Sequence, residues 1–363
     1  MKNTLIVIIL CIVCSSSCGV RQFDIIPAND TLIEYTGRID FTDPLAPTFS
    51  YSGVSVRACF TGTSVGMILD DNTGQNFYQI ILDGKLMEKV NISKGKKTYS
   101  IADRLKDTIH EVEVFKLTEE MFGKTKFLGF VVNKGCNLVS ISDKRTRLFE
   151  FIGNSITCGY GNEGTLGEKF GPTTENHYLT YAAITSRNFH ARHMAVCKSG
   201  IGIYRNYNGP LTGNTDCMTN LYTRVFLYDE NPKYSFAEKP DIVCINLGTN
   251  DFSTTGGDSA RYVNNYFRLI DTLQTKYYMP DIICLLGPMV TDSTLTNLRG
   301  YLKFIVDSAG NNGKGNVYFF EMSHQTGDLG IGIDYHPTVA QHRRNAEELT
   351  EFIKSIKGWE IYP

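Results

Sequence analysis

Tryptophan is nearly missing from this chain of 363 residues, with a single copy at Trp359. An excess of charge of one sign is missing too. Lys and Arg number 36 against 38 Asp and Glu, for a net charge of −2. Without a broad basic surface, composition argues against nucleic acid as a partner. Ten cysteines occur, at 11, 14, 18, 59, 136, 158, 197, 217, 244 and 284. Seven lie beyond the N-terminal leader, an odd number with no CxxC pair, which argues against a disulfide framework or a zinc site. Cys244 and Cys284 sit in apolar runs and read as small core residues. No repeat or low-complexity tract appears. Tyr and Phe are plentiful instead, with 20 and 21 copies, and most are expected in core and sheet packing.

The first residues read as an export signal. Lys2 supplies a positive charge, and Leu5 to Val13 is an apolar run too short to span a bilayer. Ser15-Ser16-Ser17-Cys18 follows and is similar to a lipobox. Two outcomes stay open: lipidation of Cys18 as the mature first residue, on the periplasmic side or the cell surface, or plain cleavage nearby and secretion. Residues 1–22 are set aside from fold reasoning.

From 23 to 146 the chain is punctuated like a β domain. Short runs recur at Ser55 to Phe60, Val65 to Leu69, Phe77 to Leu82, Lys97 to Ile101, Glu111 to Leu117 and Phe127 to Asn133, with turn residues between them. Asp83-Gly84 is a strong hairpin signal. Six or more short strands at this spacing predict a β-sandwich or jelly roll. From 147 to 363 the pattern changes. Apolar runs at Phe149 to Ile152, Ala195 to Cys197, Ile242 to Leu247, Ile282 to Leu286 and Val317 to Glu321 alternate with helix-compatible stretches. That succession predicts an α/β domain with a doubly wound, mainly parallel sheet of five strands.

Four polar blocks fall at or beyond the predicted strand ends: Gly153-Asn154-Ser155, Lys198-Ser199-Gly200-Ile201-Gly202, Gly248-Thr249-Asn250-Asp251, and Asp334-Tyr335-His336-Pro337. In a doubly wound sheet these ends share one edge and can converge. A serine hydrolase needs a hydroxyl, a base to activate it, a group that fixes the base's tautomer, and donors for the developing oxyanion. Ser155 is the candidate nucleophile, His336 the base and Asp334 its orienting partner. The N–H groups of Ser155 and Gly200 and the Asn250 amide are the candidate oxyanion hole. On the residues alone, Gly202 serves as well as Gly200. Asp251 reads as structural, a cap for the following segment.

This order of blocks resembles the SGNH (GDSL-like) hydrolase superfamily, whose four named residues map to Ser155, Gly200, Asn250 and His336. Phe151-Ile152-Gly153-Asn154-Ser155-Ile156-Thr157-Cys158-Gly159-Tyr160-Gly161, Glu175-Asn176-His177-Tyr178, Gly248-Thr249-Asn250-Asp251 and the Asp-aromatic-His-Pro end resemble carbohydrate esterase family two more closely. The resemblance implies an N-terminal jelly roll ahead of an SGNH domain. It also implies deacetylation of plant cell-wall polysaccharides such as xylan and glucomannan, with no metal or other cofactor. In that family the histidine is oriented by an Asp-x-His carboxylate in some members and by a main-chain carbonyl in others. The implied partner is an acetylated polysaccharide or oligosaccharide. Two alternatives remain at this stage: a lipase or thioesterase using the same residues on longer acyl chains, and a non-enzymatic glycan-binding lipoprotein.

Tyr160, Tyr204 and Tyr335 are candidate walls of a sugar cleft. His177, His190, His193, His324 and His342 show no ligand spacing and are expected at surfaces or helix ends.

Overall fold

The structure is a computed structural model that describes residues 22–254, 256–313 and 315–362. The expectation for Cys18 therefore lies outside the described residues. Up to Val139 the ordered elements are almost all strands, arranged in two antiparallel sheets. In one, Thr125–Asn133 lies between Phe23–Pro27 and Val65–Asp71, with Gly95–Ala102 outside. In the other, Thr108–Lys116 lies between Ser55–Gly62 and Phe77–Leu82. Alternation puts Val56, Ala58 and Phe60 of one strand and Val112 and Val114 of its neighbour into a core shared with Met67 and Phe130 of the other sheet. The hairpin at Asp83-Gly84 forms as expected. Both residues have positive φ, 51° and 73°, which matches a tight turn to the twist of the strands.

Five parallel strands follow in the spatial order Ala191–Cys197, Arg147–Gly153, Ile242–Asn246, Asp281–Leu286 and Val317–Glu321. The strand first in sequence is second in space, so the winding reverses beside it. Crevices for ligands open at the carboxyl ends of strands next to such a reversal. Every residue of Ile242–Asn246 and Asp281–Leu286 is buried, because helices cover both faces. Tyr181–Asn188 and Val339–Lys357 pack on Phe149 and Phe151 on one side. Ser259–Tyr277 and Asp292–Asn311 pack on Val243 and Ile245 on the other. The chain is thus mixed α/β, with the β-rich part first.

Capping residues visible in the sequence set the helix starts. The Asp258 side chain accepts from Arg261 N at 3.0 Å, and that of Thr338 from Gln341 N at 3.2 Å. The latter cap, directly after Pro337, fixes where His336 stands ahead of the last helix. None of the described helices is long and apolar enough to cross a membrane.

Candidate active site

Strand Arg147–Gly153 ends in a tight turn that sets up Ser155. Gly153 is required there, since a Cβ would collide with the Thr157 hydroxyl. The Asn154 side chain caps the short helix Ser155–Cys158 by accepting from Ile156 N at 3.0 Å. Ser155 is the first residue of that helix, and its Oγ lies 2.7 Å from His336 Nε2. The two residues are 181 apart in sequence. Ser155 is 8% exposed and His336 half-buried, so the pair is largely shielded from solvent without being sealed from it.

His336 Nδ1 faces main-chain oxygens, those of Ile333 at 3.1 Å and Asp334 at 3.2 Å. Carbonyls only accept, so Nδ1 carries the proton and Nε2 is left to receive one from Ser155. The expectation that the Asp334 carboxylate orients the imidazole is corrected here. Asp334 has φ 49° and ψ 41°, a left-handed turn in the middle of Ile333–Tyr335. That turn points its carboxylate away, where Oδ2 accepts from the Tyr160 hydroxyl at 2.7 Å. Burial is the largest influence on the His336 imidazole and holds its pKa below the usual value of 6.5. The two carbonyls and the Asp334 charge oppose that shift.

Beyond the neighbouring strand, Ala191–Cys197, the chain turns through Gly200 at φ 81°. The two glycines that sequence leaves interchangeable differ in place. Gly202 N is committed to the Asn206 side chain at 3.1 Å, and a Cβ there would strike the Arg205 carbonyl. At Gly200 a Cβ would meet only Tyr207, at 3.9 Å. Gly200 is therefore the glycine with an open approach. The Asn250 amide donates one hydrogen to Ile201 O at 2.8 Å, which leaves its second hydrogen for a ligand. Asp251 does not cap the segment after it. Its carboxylate reaches across to accept from the N–H groups of Ile203, Tyr204 and Arg205 at 3.0, 2.9 and 3.0 Å. Asn250 and Asp251 together therefore hold the loop that presents Gly200. A hydroxyl with a neutral imidazole beside it, and N–H donors on one side, can carry out acyl transfer.

The profile described as carbohydrate esterase 2 N-terminal matches residues 35–141, and that of the GDSL-like lipase/acylhydrolase family matches residues 151–354. A solved family two carbohydrate esterase from Clostridium thermocellum, in complex with cellohexaose, is 37% identical with a TM-score of 0.85, over 90% of this chain and 99% of that one. The chain belongs to carbohydrate esterase family two. It is also 38% identical over 332 residues to the cellulase/esterase CelE of Acetivibrio thermocellus, covering 90% of this chain. The match spans only 40% of CelE's own length. It is 33% identical over 247 residues to an acetylxylan esterase / glucomannan deacetylase of Cellvibrio japonicus, covering 64% of this chain and 66% of that one.

Within this family two chain the three candidate cleft tyrosines separate. Tyr160 stacks on Phe170 at 3.5 Å between centroids and leans over His336 at 4.3 Å. Tyr335 is 62% exposed, directly before His336. Tyr204 is excluded from the cleft. It is 3% exposed, and its hydroxyl accepts from Asp258 N at 2.6 Å, so it is a wall of the core. Three of the histidines expected at surfaces are buried as well. The Nε2 atoms of His177 and His193 are hydrogen-bonded to each other at 2.7 Å, and His342 Nδ1 accepts from Tyr181 N at 3.2 Å. The burial of Glu119 and its bonds to the loop before Gly200 gave no signal in the sequence, because its partners lie in the other half of the chain.

Proposed function

We propose that the chain is a serine esterase that removes O-acetyl groups from plant cell-wall polysaccharides of the xylan and glucomannan type. The observation that carries this reading is the 2.7 Å contact between Ser155 Oγ and a His336 whose other nitrogen is tied to carbonyls. Ser155 attacks the acetyl carbonyl carbon as His336 Nε2 takes its proton. The N–H groups of Ser155 and Gly200 and the free Asn250 amide hydrogen receive the negative charge that develops on oxygen. The sugar hydroxyl departs with the proton from His336 and leaves an acetyl-serine. Water then repeats the sequence and frees acetate.

The acetyl group and the polysaccharide come from the named activities of the relatives, in particular the acetylxylan esterase / glucomannan deacetylase. The two-part layout supports the same reading. Residues 23–146 form the β-sandwich domain and 147–363 the catalytic domain in this proposal. An exported chain, secreted or held by a lipid on Cys18, fits a polymer that stays outside the cell.

The experiment is to incubate the purified chain with acetylated xylan, acetylated glucomannan and a long-chain acyl ester and to measure the acid released from each. Acetate from the polysaccharides is expected, with a loss of about 10⁴-fold or more in Ser155→Ala. Release that survives in Ser155→Ala, or a preference for the long-chain ester, overturns the proposal.

A further inference from the structure

The geometry points to Glu119, contributed by the β-rich part of the chain, as a positioning residue for the oxyanion loop of the α/β part. The inference rests on the esterase reading for the meaning of that loop. Glu119 follows the strand Thr108–Lys116 and is fully buried. Its carboxylate crosses to the residue next to Gly200. Oε2 accepts from Ser199 N at 2.7 Å, and Oε1 accepts from the Ser199 hydroxyl. The same Oε2 lies 3.7 Å from Cys158 Sγ, in the helix that begins with Ser155. One carboxylate thus touches both walls of the proposed oxyanion hole, the loop carrying Gly200 and the helix carrying Ser155.

The main chain that carries this carboxylate is itself tied down. Glu119 N donates to Glu175 Oε2 at 2.8 Å. Glu175 belongs to the Glu175-Asn176-His177 segment, which the chemistry above leaves without a role. Glu119, Cys158 and Glu175 bring ligand atoms within 4.8 Å of one another, the spacing of a metal centre. Both Glu119 oxygens are already committed to Ser199, however, and the buried Lys116 ammonium lies on the same tract, with its Nζ 2.6 Å from Thr118 O. A hydrogen-bonded network describes these groups better than a cation site does.

Position matters here because an oxyanion hole works by donors fixed before the charge appears, and a shift of about 1 Å in such a group costs on the order of 100-fold in rate. Ser199 and Gly200 share a peptide unit. Holding Ser199 at both N–H and Oγ fixes its Cα, on which that peptide hinges, and Ser199 O accepts from Lys198 Nζ at 3.2 Å. In this view the β-rich part takes part in building the reaction site.

The test compares wild type, Glu119→Ala, Glu119→Gln and Ser199→Ala on a nitrophenyl acetate ester, with the rate at which a nitrophenyl phosphonate labels Ser155 as a second readout. Glu119→Ala is expected to lower kcat and the labelling rate by about 10–100-fold with KM within about twofold. Glu119→Gln keeps one acceptor for Ser199 N and is expected to recover part of that loss. A Glu119→Ala protein with both rates within twofold of wild type, or with the loss confined to KM, overturns the inference. If Glu119→Ala does not fold, the other two variants decide: lower kcat at unchanged KM supports the inference, and wild-type kcat in both overturns it. A wild-type chain that is labelled but releases no acetate overturns the esterase reading alone, and the labelling ratios still decide the role of Glu119.

Discussion

The Tyr160 hydroxyl donates to the Asp334 carboxylate at 2.7 Å, and the Tyr160 ring lies over His336 at 4.3 Å. Asp334 therefore reaches the imidazole in two ways, through its own main-chain oxygen at Nδ1 and through a tyrosine its side chain holds in place. Neither way needs the carboxylate to share the Nδ1 proton. Asp334→Asn keeps the left-handed turn, which Asn tolerates, and keeps an acceptor for Tyr160. Its kcat on an acetyl ester is expected to stay within about tenfold of wild type, where loss of the orienting carboxylate of a Ser-His-Asp triad costs roughly 10⁴-fold. A loss near that larger figure would restore Asp334 to the triad.

The same arrangement fixes a pH dependence. Burial holds the His336 pKa below 6.5, against the pull of the two carbonyls and of Asp334. The base must be neutral to take the Ser155 proton, so activity is lost as pH falls through that depressed value and is full above it. The acid limb of kcat/KM for an acetyl ester is expected below pH 6.5. Asp334→Asn removes the negative charge nearest the imidazolium and should move the limb further down. A limb that moves up in that variant would show that the charge does not act on His336.

Three buried histidines give stability its own pH profile. Burial lowers His177 to about 4 and His342 to about 3, and carries His193 well below its usual value. In the unfolded chain each titrates near 6.5. The folded pKa is the lower one, so this stability is complete above pH 6.5 and is lost as pH falls toward 3 to 4. Glu175 and Asp251 are raised by burial and act in the opposite sense, which makes a difference measurement the clean one. The gap in unfolding free energy between wild type and His342→Gln is expected to narrow by about 2 kcal/mol from pH 7 to pH 5. Urea midpoints at the two pH values measure it, and a constant gap would remove His342 from the profile.

The parts of the candidate site that are legible in the sequence are those carried by local punctuation. Gly153-Asn154-Ser155, Gly200 and Asn250 each stand where an apolar run gives way to glycine and polar residues, and parallel strands bring such ends to one edge. The parts it hid are set by contacts across the fold. The φ of 49° at Asp334 is one that aspartate tolerates better than most residues, but nothing in the local run Ile333-Asp334-Tyr335 singles it out. Gln341, His342 and Asn345 occupy the inner face of Val339–Lys357 beside Ala346 and Leu349, so counting only apolar positions makes that face look narrower than it is. Tyr204, a candidate cleft residue in the sequence, is a core residue in the fold. Its burial depends on Asp258, more than fifty residues later.

Arg38 supplies a second link between the β-rich and α/β parts, apart from Glu119. It is fully buried, with Nη2 3.1 Å from Glu150 Oε1 and Nη1 donating to Arg224 O at 2.9 Å and to Tyr222 O. Its guanidinium lies 4.4 and 4.5 Å from the ring centroids of Tyr222 and Tyr234. Glu150 stands in the middle of the strand Arg147–Gly153 that leads to Ser155, and its other oxygen accepts from the Tyr222 hydroxyl at 2.7 Å. Removing one member of a buried pair leaves the other charge without compensation, at a cost of about 3–5 kcal/mol. Arg38→Ala is expected to lose that much, read by denaturant unfolding. Most of the loss comes from the exposed need of Glu150 and not from missing packing, so Arg38→Ala/Glu150→Gln should be more stable than Arg38→Ala alone. Equal stability of the two variants would assign the cost to the cavity left among Tyr222, Tyr234 and Phe236 instead.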